Sequence, residues 1–400
     1  MSTLRRARLA LAATFAIAVV GSTSAQEGSV GIVEKKVFSM PSYTTVGGKP
    51  IRDLKVGWEA YGTLNAARDN VIVVPHFFSA NSHAAGKYKA EDVAPGYWDP
   101  IIGPGKPIDT SRFYVISVDS LVNLNLKDAN TTTTGPASTD PATGKPYGMS
   151  FPIVTMRDFV NVQKALLDSL GVARVYAAVG ASMGALQSLE WAASYPDLVQ
   201  RVVPVIGAAE ADAWAIEKVE LWGQAITLDP NWNGGDYYGK AEPLAGLALA
   251  LKMVTLDARH WGWADKAFGR KLAIEGANPL ADWKNKYAIV QALDAGGVAR
   301  ARSADANHFL YLVRANQLFV TGQGDGGLEA GLARINAKAL FLPAKSDVLL
   351  VPDNSRKAVE IMKKQGKNAE LVEIEGDGGH LDGVLAIARV GEQLRRFLAQ

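Results

Sequence analysis

Ser182 stands in Gly180-Ala181-Ser182-Met183-Gly184, a G-x-S-x-G stretch that follows an apolar, β-branched run and opens a helical pattern. Small residues around the serine permit a tight strand-to-helix turn that presents the hydroxyl at the strand's carboxyl end. The start of the following helix favours negative charge developing beside it. A serine hydroxyl is a poor nucleophile at neutral pH, so acyl chemistry requires a base and an acid that orients that base. The competing explanation is a small-residue turn without chemistry; the strand–turn–helix context favours the nucleophile.

Chain order narrows the partners, because a strand-end serine of this kind is followed by its acid and then by its histidine. His260, His308 and His380 follow Ser182. The first two fall in a helical region, whereas His380 lies in Gly376-Asp377-Gly378-Gly379-His380-Leu381-Asp382-Gly383, beyond the last strand pattern. His380 is therefore the expected base. Asp347, Asp353 and Asp377 are the candidate acids. Asp347 is selected because it lies in the loop straight after the strand pattern at 339–342. Asp353 reads as a cap for the next helix, and Asp377 is too near His380 in sequence to reach its far ring nitrogen. An acyl-transfer oxyanion calls for two backbone N–H donors. Met183 should supply one. Phe78, with Phe77 as the alternative, should supply the other from Pro75-His76-Phe77-Phe78-Ser79. His76 precedes the serine and reads as structural.

The elements that position these residues are legible as alternating patterns. Apolar runs at 71–74, 113–118, 174–179, 202–206, 339–342 and 369–374 read as strands. Continuous apolar character implies strands buried on both faces, hence a mostly parallel sheet covered by helices. Helical patterns occupy 154–170, 184–195, 355–364 and 384–398. Strand–helix alternation predicts the α/β class. Residues 208–336 are rich in Trp, Ala and Leu, lack buried-strand patterns and read as a helical cap inserted into the sheet domain. That division gives a core of 30–207 and 337–400. The cap tryptophans Trp214, Trp222, Trp232, Trp261 and Trp263 read mainly as core between helices, with an apolar pocket wall as the other option.

Composition supports a folded chain with a substantial core and removes several classes. Hydrophobic residues are 48% and charged residues 20% of the 400, which suits a large core and argues against disorder. A net charge of +2, without a Lys/Arg stripe interleaved with aromatics, points away from nucleic acid. With no cysteine, disulfides, zinc thiolates and cysteine catalysis are excluded. Arg5, Arg6 and Arg8, an apolar run at 9–20 and small residues to Ala25 read as a secretory signal over 1–25, cleaved after Ala25. An uncleaved anchor and twin-arginine export are the weaker variants. No later stretch is apolar enough to span a bilayer, so a periplasmic or secreted protein without stable membrane insertion is expected.

The chain resembles the homoserine O-acetyltransferase family of α/β-hydrolases along nearly all of its mature length. The resemblance rests on Tyr61-Gly62-Thr63-Leu64-Asn65, Ser82-His83-Ala84-Ala85-Gly86, Gly103-Pro104-Gly105-Lys106-Pro107-Ile108-Asp109 and Thr134-Gly135-Pro136-Ala137-Ser138. Thr143-Gly144-Lys145-Pro146-Tyr147-Gly148, Gly180–Gly184 with Leu189-Glu190-Trp191-Ala192, and residues 230–238 continue it. It implies an α/β-hydrolase fold, the triad Ser182, Asp347 and His380, and a cap that pairs two subunits. Residues 122–130 replace the family's Gly-Gly-Cys stretch, and Phe77 and Phe78 bring bulky rings to the acyl site. The family's arginine for the homoserine carboxylate is replaced by Leu251, leaving Lys252 as a point charge without a planar fork. Acetyl-CoA is a cytosolic donor, which an exported protein would lack. The expected activity is therefore hydrolysis of a small-molecule ester or amide, with Phe77 and Lys252 as substrate contacts and no metal or organic cofactor required. The alternatives are an acyl-CoA-dependent O-acyltransferase and a catalytically inert binding protein.

Overall fold

The computed structural model describes residues 28–324 and 326–400. The predicted secretory signal lies outside the described residues. An eight-stranded sheet organises the molecule. Its strands are β1 (Lys36–Thr44), β2 (Pro50–Tyr61), β3 (Val71–Val73), β4 (Tyr114–Val118), β5 (Val175–Ala181), β6 (Arg201–Val205), β7 (Lys338–Phe341) and β8 (Ala369–Leu371). Their spatial order is β1-β2-β4-β3-β5-β6-β7-β8. The β1–β2 and β2–β4 pairs are antiparallel, and every pair from β4 to β8 is parallel.

The parallel strands sort their side chains by period two into two cores. Val71, Val73, Val175, Ala178, Val202, Ala339 and Phe341 join one core; Ile72, Val74, Ala177, Val179, Val203, Leu340 and Leu342 join the other. A strand buried on both faces has no polar side to show, which is why the runs of β3, β5, β6 and β7 stand out in the sequence, whereas β8 exposes Glu370.

The first core is covered by α1 (Met156–Ser169) and α2 (Met183–Ser194). A capping box starts α1, with Thr155 and Asp158 each bonding the other's backbone N–H. The carboxyl-terminal helix, Gly391–Ala399, buries Leu394, Phe397 and Leu398 in the second core. The helical pattern at 384–398 is thus broken, its start being a short turn at Asp382–Leu385 and a 3₁₀ segment at Ile387–Val390.

Between β6 and β7 the chain leaves the sheet and forms α3 (Ala213–Thr227), α4 (Leu244–Asp257), α5 (Trp261–Ala267), α6 (Ala288–Ala301), α7 (Ala306–Gln317) and α8 (Gly327–Ala333). Helix α4 packs between α3 and α6, and α7 packs on α3. This helical layer lies over the carboxyl edge of the sheet: the α3, α4 and α7 residues Val219, Val254 and Asn316 share one cavity with the strand-end residues Ser182 and Phe78. After β7, helix α9 (Pro352–Lys364) leads to β8.

Candidate active site

Ser182 follows β5 directly and has φ 56° and ψ −122°, a conformation a residue with a Cβ rarely adopts. Ser182 N–H donates to Val205 O at 2.9 Å, which carries the β5–β6 ladder up to the turn. Its neighbours leave no room for larger side chains. A Cβ on residue 180 would lie 2.3 Å from Gly184 O, and one on residue 184 would lie 2.2 Å from Pro75 O. The second contact shows that the start of α2 and the loop after β3 are pressed together.

Asp347 lies in the loop after β7, and His380 lies beyond β8 in the turn Gly379–Leu381. His380 Nε2 is 2.7 Å from Ser182 Oγ, and its Nδ1 is 2.6 Å from Asp347 Oδ2. The other carboxylate oxygen of Asp347 accepts from Leu349 N–H at 2.8 Å and Leu350 N–H at 3.1 Å. These bonds fix the carboxylate, which in turn fixes the imidazole with Nδ1 as donor and Nε2 free to accept the serine proton. Ser182, Asp347 and His380 are therefore brought together from three strand ends.

The other candidate acids are engaged elsewhere. Asp377 pairs with Lys266 of α5. Asp353 does not cap α9 as expected, because Pro352 already starts the helix after Val351; it sits in the first turn and bonds Arg356 at 2.7 Å. Proline at the first helical position has no N–H to be capped. His260 instead caps α5 by accepting from Gly262 N–H at 3.2 Å.

Phe77, Phe78 and Ser79 follow β3 and line the cavity over Ser182. Among the described residues, none accepts from the backbone N–H of Met183 or Phe78. The loop that carries them is held from behind by His76, which is 1% exposed. His76 Nε2 accepts from Ser120 N–H at 2.9 Å and lies 3.1 Å from Asn123 Nδ2. A backbone N–H can only donate, so Nε2 is the unprotonated nitrogen and Nδ1–H donates to Phe77 O at 2.8 Å. Burial holds this imidazole below the ordinary histidine range. His308 of α7 is equally buried and held low for the same reason; its Nδ1 reaches Asn123 O at 2.9 Å.

The cavity measures about 80 Å³. Ile206, Ala215, Val219, Trp222, Val254, Ala258, Leu349, Leu350, Leu381 and Val384 supply its apolar surface, and Ser79 and Asn316 its polar points besides Ser182 and His380. No lysine or arginine is among the lining residues described.

A model of the alpha/beta hydrolase fold matches residues 132–385. The homoserine O-acetyltransferase of Symbiobacterium thermophilum is 40% identical over 356 residues, covering 88% of this chain and 91% of that protein. The chain belongs to the homoserine O-acetyltransferase-like family of α/β-hydrolases. Among solved structures, the homoserine O-acetyltransferase of Bacillus anthracis is 37% identical with a TM-score of 0.88, over 92% of this chain and 98% of that one. Esterase E22 is 52% identical with the same TM-score of 0.88, over 92% of this chain and all of that one.

Against this family background, Leu251 is fully buried in the core. Lys252, expected as a substrate contact, does not line the cavity; its ammonium pairs with Asp294 at 2.7 Å, toward α6. One helical position past Leu251 points the side chain about 100° away from it, so the lysine cannot replace a group at 251. Trp222 forms both core and cavity wall, whereas Trp214 and Trp261 are exposed. Asn123, Ser120 and Asn316 were not legible as site residues. Only the departure of 122–130 from the family pattern marked that segment.

Proposed function

We propose that this protein hydrolyses small carboxylic esters through an acyl-enzyme on Ser182. The observation that carries this reading is the 2.7 Å contact between His380 Nε2 and Ser182 Oγ beneath a small, apolar, cation-free cavity. His380 takes the serine proton as Oγ attacks the ester carbonyl. The tetrahedral oxyanion is held by the Met183 and Phe78 N–H groups, and the imidazolium returns its proton to the leaving alkoxide. Water, activated by the same imidazole, then cleaves the acyl-enzyme and restores Ser182. Asp347 holds the imidazole and stabilises its charge. The size of the cavity favours a short acyl group, and its walls favour an uncharged alcohol. The 52% identity to esterase E22 supports the same assignment.

A second reading is O-acetyl transfer to a small hydroxyl acceptor, favoured by the 40% identity to a homoserine O-acetyltransferase. Homoserine's carboxylate would demand a cation at the site. Arg259, adjacent to Ala258 of the wall and placed 4.7 Å over the Trp263 ring, is the residue that reading would recruit. Competing turnover separates the two: purified protein is given p-nitrophenyl acetate, then acetyl-CoA with homoserine, alongside Ser182→Ala. Faster Ser182-dependent turnover of the simple ester supports hydrolysis; efficient consumption of acetyl-CoA only with homoserine present establishes transfer instead. The basic, apolar and small-residue order of 1–25 further supports action outside the cytoplasm. A mature amino terminus at Gln26 is the expected sequencing result, and an intact cytosolic chain would overturn it.

A further inference from the structure

We infer that His76 is a positioning residue that aims the Phe78 N–H at the oxyanion, and that it is itself held by Asn123. The inference rests on the acyl-enzyme reading above. The Phe77–Phe78 peptide is planar and trans, so its C=O and N–H point in opposite directions. Whatever holds the Phe77 carbonyl therefore aims the Phe78 N–H. Two donors hold that carbonyl, His76 Nδ1–H at 2.8 Å and Ala80 N–H at 3.0 Å. The His76 ring lies on the interior side, against Ser120 and Asn123, so the Phe78 N–H is directed away from that side.

The ring cannot rotate without breaking bonds at its far end. Its Nε2 receives Ser120 N–H, and Asn123 Nδ2 spans the same nitrogen and Ala80 O at 3.0 Å. Asn123 is in turn fixed through its backbone carbonyl, which accepts from His308 Nδ1–H of the cap helix α7 at 2.9 Å, while its Oδ1 accepts from Asn125 N–H at 2.9 Å. Asn125 Nδ2 bonds Ser79 O at 3.1 Å and steadies the other end of the loop. An unbroken chain of bonds thus runs from α7 through His308, Asn123 and His76 to the Phe77–Phe78 peptide, whose two residues line the cavity that also holds Ser182. A donor for an oxyanion is effective when it is already oriented before charge develops. Neutral His76 provides that orientation because one ring nitrogen donates while the other accepts.

The test compares His76→Leu, His76→Asn and Asn123→Ala with wild type in p-nitrophenyl acetate hydrolysis. It adds the affinities of an aryl trifluoromethyl ketone, whose serine adduct carries an oxyanion, and of the matching alcohol, which forms none. His76→Leu should lower kcat about 100-fold, within the range for loss of one oxyanion donor, with KM changed less than about threefold. The ketone should weaken in step with kcat/KM while the alcohol is unaffected. His76→Asn, whose Nδ2 can take the place of the ring Nδ1–H, should restore kcat to within about tenfold of wild type. Asn123→Ala should lose about tenfold in kcat at unchanged KM. If His76→Leu does not fold, the other two variants decide. Wild-type kcat in Asn123→Ala, or parallel loss of ketone and alcohol affinity, overturns the inference. Absence of Ser182-dependent hydrolysis in wild type would instead overturn the acyl-enzyme reading, so the two failures are distinct.

Discussion

On the sheet side of the Ser182 cavity, the pairs Asp347–His380 and His76–Asn123 are each held by hydrogen bonds of 2.6–3.1 Å whose remaining partners are mostly backbone groups of strand-end loops. On the cap side, Ala215, Val219, Val254 and Ala258 present carbon, Asn316 of α7 is the polar exception, and the one polar atom of Trp222 turns away to Asp257 at 2.7 Å. The difference separates two tasks. Proton transfer and charge stabilisation require fixed directions, which hydrogen bonds to a rigid sheet provide. An apolar wall acts through shape and exclusion of water, so its residues can change without disturbing the proton path.

Substitutions on the sheet side should abolish chemistry while leaving binding intact. Ser182→Ala and His380→Ala should each reduce kcat by at least about 10⁴-fold, with product-alcohol affinity retained. Asp347→Asn should cost about 10³–10⁴-fold, because the amide favours the wrong imidazole tautomer. Steady-state kinetics of ester hydrolysis measures both. If Asp347→Asn keeps wild-type kcat, Leu349 and Leu350 hold the loop without any role for the carboxylate.

On the cap side the sign reverses. Trp222→Ala should destabilise the fold by about 3–5 kcal/mol, the usual cost of truncating a buried tryptophan, and should extend acyl-chain preference while preserving the kcat for acetyl esters. Denaturant melts and a chain-length series check this. A collapse of kcat for acetate would show that the cap wall also places the reacting groups.

Acid stability tests the buried polar wall more gently. Burial depresses His76 and His308 in the fold, whereas the unfolded chain titrates each near ~6.5. Above that value neither contributes. Below it the unfolded chain takes up protons the fold refuses, so stability falls as pH falls, until each folded pKa is reached. The slope is up to about 1.4 kcal/mol per pH unit for each histidine. Chemical denaturation from about pH 7.5 to 5 should show this fall, and His308→Gln should make it shallower. The smallest effect is expected at the cap exterior: Lys252→Ala should leave kcat and KM within about twofold, because the ammonium faces Asp294 in a partly exposed pair. A rise in KM for a carboxylate-bearing substrate would return Lys252 to the site.

The parallel strands and the strand–serine–helix turn were legible because buried strands and tight turns restrict residue types strongly. The hairpin β1–β2 was not. Its first strand is largely exposed and mixes polar with apolar residues, so it lacks the continuous apolar run that marks the central strands. Asp347 and His380 were legible from their place after strand patterns, whereas Asn123, a polar residue in an irregular loop, carried no periodic signal. Lys252 was misplaced because a sequence shows which residue follows Leu251 and not which side of the helix faces the cavity.

The order of residues alone pointed to the α/β alternation, the tight turn at Ser182 and the choice of Asp347 and His380 as the residues that meet it, since each depends on local sterics or on position relative to a strand. Only the tertiary structure decided the tautomer of His76, the bond from α7 to Asn123 and the apolar cation-free wall. Those depend on contacts between segments far apart in the chain, 185 residues in the case of His308 and Asn123, where direction and distance are set by packing rather than by neighbours in the chain.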